Sequence, residues 1–197
     1  HLPGEIHEYG VWWGQNLVLM ENLRAIYEPF NKQRTIVGFD TFAGYTHPLG
    51  EEDGARASEV FDDATYATGT AHIEHLSALL EAHEGANVLG HVSGLHRLVA
   101  GDVTETAPQY FRDHPESLVA LAYLDMGPYA PTKAALEAVR SHLMPGSVLL
   151  MDQLTWSESP GEAIALKEAF AEVNYTVEKC ALYPSKSIVT VLERPLR

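Results

Sequence analysis

Five strand-like runs recur along this chain, and each carries an acid at or near its carboxyl end: Glu8, Asp40, Asp102, Asp125 and Asp152. That pattern restricts the fold more than any other feature. The run 35–40 is nearly continuous in apolarity, as a strand covered on both faces is, and 95–102, 118–125 and 147–152 also read as strands. Segments with helical spacing lie between them. Leu19, Leu23, Ile26, Tyr27 and Phe30 form one apolar helical face, broken by Asn31. Ile73, Leu76, Leu79, Leu80 and His83 form another, and Leu136, Val139 and Leu143 a third. Pro131 suits a first helical turn, and Pro145-Gly146 a helix stop. Residues 161–173 read as a last helix. Segments 175–182 and 187–193 then read as two strands joined by Tyr183-Pro184-Ser185-Lys186.

Strand and helix alternating in this way predict an α/β fold: a doubly wound, mostly parallel, seven-stranded Rossmann-like sheet with a C-terminal antiparallel hairpin. The hairpin separates a class I methyltransferase sheet from a plain nucleotide-binding one. With 197 residues the chain is expected to form a single domain. From Gly44 to Thr70 the periodicity fails, and a loop of that length is expected to be a lid.

Open α/β sheets bind ligands beyond the carboxyl ends of their strands, so five acids in register point to one shared site. The chain carries 27 acidic against 13 basic residues, a formal charge of −14. This argues against a phosphate-neutralising nucleic-acid face and against an anionic membrane surface. Small molecules and metal ions are the natural partners. No apolar run approaches the roughly 20 residues of a membrane span. The single cysteine, Cys180, excludes an internal disulfide. A cytoplasmic protein is expected.

The first turn, Glu8-Tyr9-Gly10-Val11-Trp12-Trp13-Gly14-Gln15-Asn16, is not a dinucleotide fingerprint and has no P-loop lysine. Gly10 and Gly14 permit a tight turn, and Asp40 after the second strand can accept ribose hydroxyls. With no basic residue to balance phosphates, an unphosphorylated adenosine fits better than NAD. Histidines 72 and 75 lack a zinc-binding pattern. His47, in the long loop, is a candidate substrate contact or general base.

The chain resembles the macrocin O-methyltransferase (TylF-like) family of class I S-adenosylmethionine-dependent methyltransferases. The resemblance rests on residues 8–16, on Gly38-Phe39-Asp40-Thr41-Phe42-Ala43-Gly44, on residues 124–136 beginning Leu124-Asp125-Met126, and on residues 145–153 ending Met151-Asp152-Gln153. It implies O-methylation of a small molecule, most naturally a sugar of a glycosylated natural product, by a homo-oligomer. It implies that Gly10 and Gly14 shape the methionine pocket, with Glu8 beside it, Asp40 on the ribose and Asp102 near the adenine. It also implies a divalent ion, magnesium or calcium, on Asp125, Asp152 and Gln153, which would lower the pKa of the attacked hydroxyl while a carboxylate such as Asp125 takes its proton. Two departures stand out. Gly127 replaces the family's second acid after strand four, and Gln153 replaces the second acid of its pair. The family's N-terminal cap helices are expected to be absent. A catalytically inactive cofactor-binding domain is the alternative from another class, and an NAD-dependent oxidoreductase a further one.

Overall fold

The computed structural model describes residues 2–61 and 65–192. Seven strands, β1 (Glu5–Tyr9), β2 (Ile36–Asp40), β3 (His96–Ala100), β4 (Val119–Leu124), β5 (Leu143–Met151), β6 (Tyr175–Lys179) and β7 (Ser187–Val191), form one sheet in the order β3-β2-β1-β4-β5-β7-β6. The pairs among β1 to β5 are parallel, and β7 runs antiparallel to both β5 and β6. The expected doubly wound sheet with its antiparallel end is therefore present.

Six α-helices, α1 (Gln15–Tyr27), α2 (Ala57–Val60), α3 (Ala71–Ala86), α4 (Val103–Asp113), α5 (Tyr129–Val139) and α6 (Gly161–Ala169), accompany them, with short 3-10 turns at Glu51–Asp53 and Arg140–His142. One core joins the sheet to α4, α5 and α6 through Tyr9, Phe39, Leu124, Leu136 and Phe170. A second lies under α1 and α3, with Leu17, Ile36, Phe42, Leu76 and Leu80 fully buried. From β1 the chain winds outward to β2 and β3, then returns to lay β4 on the other side of β1. That reversal opens a crevice beyond the carboxyl ends of β1 and β4.

Three details depart from the sequence pattern. The apolar stripe of α1 faces outward: Leu19, Leu23, Ile26, Tyr27 and Phe30 are all exposed. The helix instead buries Leu17, Glu21 and Arg24. Arg24 and Glu21 pair at 2.6 Å, Arg24 also donates to the Arg34 carbonyl, and Asn87 donates to Glu21 Oε1, so the two buried charges offset each other, while Glu21 Oε2 has no hydrogen-bond partner. Leu143, read as the end of a helical stripe, begins β5, and the pairing of β4 with β5 shifts register across Pro145-Gly146, where proline has no N–H to give. Finally, β6 stops at Lys179, so the hairpin connection is longer than expected; Glu193 lies outside the described residues.

Candidate active site

The first turn is built by backbone geometry and one carboxylate. Gly10 has φ 90°, and a Cβ there would stand 2.3 Å from the Asp125 carbonyl oxygen. Only glycine lets this turn lie against the end of β4. Trp12 also holds a left-handed backbone, φ 51°. Asp40 supports this conformation: Oδ2 accepts from the Val11 and Trp12 amides at 2.6 and 2.8 Å, and Oδ1 from the Phe42 amide at 2.7 Å. A carboxylate offers about four acceptor sites, so one remains for a ligand hydroxyl. Gly14 then caps α1.

Glu8 is completely buried at the base of this turn. Asn16 donates to Oε1 at 2.9 Å, while Oε2 has no hydrogen-bond partner. Burial pushes its carboxyl up to about 8; the Asn16 bond opposes this, and the charges of Asp125 and Asp40 add to it. A buried acceptor left open at a turn lined by glycine fits the ammonium of a bound methionine moiety, so this end accommodates S-adenosylmethionine.

A cleft runs from Gly10 past Asp40, Tyr45 and Met126 to Asp102. Asp102 caps α4 by accepting from the Thr104 amide at 2.9 Å. Burial works to raise its carboxyl, but hydrogen bonds from Thr104 and Thr46, with His47 alongside, hold it below its ordinary value. His47 Nδ1 lies 2.8 Å from Asp102 Oδ2. The structure thus brings His47 to Asp102, while a neighbouring pocket on the far side of Gly10 holds Asp125 with Trp12, Gln15, Asn16, Tyr45 and Tyr66. The aromatic rings there form a wall: Tyr66 lies 5.8 Å from Trp12 and 5.4 Å from Tyr45, which meets Phe61 at 5.2 Å.

The segment expected to be a lid packs down onto this end. Fully buried Asp53 accepts from the Tyr129 amide at 2.6 Å and the Gly50 amide at 2.8 Å, tying the loop to the start of α5. Asp53 and Glu162 are site residues that sequence reasoning missed. Glu162 is also fully buried; its Oε2 accepts from the Gln153 amide at 2.9 Å and its Oε1 has no partner. Burial pushes it up to about 8, with the Gln153 amide opposing and the charges of Asp152 and Asp125 adding. An acid in the first turn of a helix ordinarily reads as a dipole partner in water, and nothing local marks either residue as buried.

Asp125 and Asp152 follow paired residues of β4 and β5, Leu124 and Met151, and converge. Burial pushes the Asp125 carboxyl up to about 6; the hydrogen bond from the Tyr123 hydroxyl opposes this, and the Asp152 charge adds to it. The divalent ion that the resemblance implies does not fit these residues well. The Lys186 ammonium occupies Asp152 Oδ1. Position 127 supplies no ligand: it has φ 83°, and a Cβ there would meet the Phe61 ring at 2.4 Å. Gln153 Oε1 is buried and unpartnered but brings no charge. Among the described residues, no three His, Cys, Asp or Glu side chains are grouped to hold a metal.

No protein-family model and no curated protein matches the chain. Solved structures do. The calicheamicin methyltransferase CalS11 is 36% identical, with a TM-score of 0.84 over 96% of this chain and 72% of its own. A second, apo structure of CalS11, described as a TDP-rhamnose 3'-O-methyltransferase of calicheamicin biosynthesis, is 35% identical at a TM-score of 0.78, with the same coverage. The chain belongs to the macrocin O-methyltransferase (TylF-like) family. It is a class I S-adenosylmethionine-dependent O-methyltransferase of a small molecule. The O-methyltransferase NovP shares the fold at 17% identity and a TM-score of 0.71, covering 98% of this methyltransferase and 73% of its own chain. Among the described residues of this methyltransferase, no helix is long and apolar enough to cross a membrane.

Proposed function

We propose that this methyltransferase alkylates a hydroxyl of a sugar, carried on a nucleotide or on a glycosylated natural product. The observation that carries the reading is the aromatic wall of Trp12, Tyr45 and Tyr66 beside Asp125, in a chain 36% identical to CalS11. A pyranose presents an apolar face to such rings and its hydroxyls to a carboxylate. Bound S-adenosylmethionine supplies an electrophilic methyl group. Glu8 Oε2 would receive the ammonium of the donor, and the remaining acceptor site of Asp40 would take one ribose hydroxyl. Gly10 and Gly14 give the methionine end its room; Asp102 and His47 close the adenine end. Asp125 would take the proton from the sugar hydroxyl as the hydroxyl oxygen bonds to the methyl carbon in line and the S–CH₃ bond breaks, with S-adenosylhomocysteine as the leaving group. With its carboxyl at about 6, Asp125 is mostly ionised at neutral pH and still close to the value an efficient base needs. Holding the two reactants aligned supplies much of the rest.

The test is incubation with S-adenosylmethionine and a panel of nucleotide-linked deoxysugars and sugar-bearing natural products. The expected result is a product heavier by one CH₂ together with release of S-adenosylhomocysteine. Binding of S-adenosylhomocysteine without methylation of any sugar in the panel would sink the sugar reading, and would leave the inactive cofactor-binding domain as the better description.

A further inference from the structure

The acids of β4 and β5 already have a cation, and the chain supplies it. Lys186 stands in the connection between β6 and β7, where its amide donates to the Tyr183 carbonyl at 3.0 Å and its carbonyl accepts from the Cys180 amide at 2.9 Å. Its ammonium donates to both Asp152 Oδ1 and the Tyr123 hydroxyl. Tyr123 in turn donates to Asp125 Oδ2 at 2.6 Å. The ammonium also lies 4.8 Å from the Tyr123 ring centre and 5.3 Å from that of Tyr183, so two aromatic faces help to seat it. The other changes in this corner point the same way. Gln153 brings one negative charge fewer than an acid would, and Phe61 packs where a side chain at 127 would stand. A divalent ion between Asp125 and Asp152 would share this space with a positive charge.

We propose that Lys186 takes the structural place of a divalent cation in this enzyme. It acts as a positioning residue: it neutralises Asp152 and, through Tyr123, holds the Asp125 carboxylate where the sugar hydroxyl arrives. Methyl transfer in this chain then needs no added metal. The activity half of this inference rests on the proposed sugar methylation; the cation-binding half does not.

The experiment titrates Mn²⁺ into the full chain, followed by electron paramagnetic resonance, for the wild type, Lys186→Gln and Lys186→Arg. Wild type and Lys186→Arg should bind Mn²⁺ weakly. Lys186→Gln, with the acids released, should bind it at least about tenfold tighter. Thermal unfolding with and without Mn²⁺ checks that each variant is folded, and the ion should raise the melting temperature of Lys186→Gln alone. In the methylation assay, wild type treated with EDTA should keep its rate. Lys186→Gln should lose most of its rate and recover part of it with magnesium or calcium, while Lys186→Arg should keep most of it. Tight Mn²⁺ binding by the wild type, or a Lys186→Gln that is folded and binds Mn²⁺ no better, overturns the proposal. If no sugar is methylated, the Mn²⁺ titration still decides it.

Discussion

The two halves of the site are made differently. On the cofactor side, the parts that hold the turn are backbone amides and two carboxylates at strand ends. Asp40 gathers the Val11, Trp12 and Phe42 amides, and Glu8 meets a side chain eight residues on. On the acceptor side, two side-chain anchors join segments still farther apart in sequence than Asp40 and the first turn. Asp53 reaches Tyr129 across 76 positions, and Lys186 reaches Asp152 across 34. The cofactor side keeps an open valence, the free oxygen of Glu8. On the acceptor side the charge of Asp152 is closed by Lys186. The difference teaches that one half leaves a buried carboxyl oxygen open, whereas the other carries its own counter-ion.

The strongest way to break this contrast is to remove the base. Asp125→Asn should lower kcat by about 10²–10⁴-fold, the usual worth of general-base catalysis. S-adenosylhomocysteine affinity, measured by calorimetry, should stay near that of the wild type. Loss of both together would mean that the two halves are not separable at Asp125.

Glu8 gives the next largest effect, read as stability against pH. Its folded pKa of about 8 lies above the unfolded value, so the native state holds a proton that the unfolded state has released. The stability it contributes is present in full below about 4.5 and is lost as pH rises through about 8. Glu162 acts in the same direction. Glu8→Gln should remove up to about 1.4 kcal/mol per pH unit of that decline, a few kcal/mol by pH 8. Urea unfolding of the ligand-free protein from pH 5 to 8 measures it. Parallel curves for the two proteins would show that Glu8 is not held protonated.

Asp53→Ala should cost about 1–3 kcal/mol by stranding the Tyr129 amide, and should raise hydrogen exchange across residues 44–61. If exchange there is already fast in the wild type, the segment is the mobile lid that its composition predicts. Protection in the free protein, lost in the variant, would make it an anchored wall.

The smallest effect sharpens the role of Asp40. Asp40→Ala should weaken S-adenosylhomocysteine binding somewhat more than tenfold, about 1.4 kcal/mol, because the turn loses its anchor and the ribose an acceptor. Unchanged affinity in a folded variant would remove Asp40 from the cofactor site.

The sequence by itself determined the alternation of strands and helices and the fold class, and it marked the strand-end acids and the glycines of the first turn. These depend on apolar runs, glycines and strand-end acids whose meaning is local, and the parallel sheet carries them automatically to one edge. The same reasoning brought Asp125 beside Asp152, because both follow paired strands. Tertiary structure alone decided three things. It turned α1 so that Leu23 and Ile26 face outward and the Glu21–Arg24 pair faces in, since helical spacing shows that a face exists without showing what covers it. It buried Asp53 and Glu162, whose local sequence looks like solvated loop and helix start. It also swung Lys186 from a hairpin connection onto Asp152. A charge's partner is set by where the folded chain brings its far segments, and at such separations no periodicity in the sequence records it.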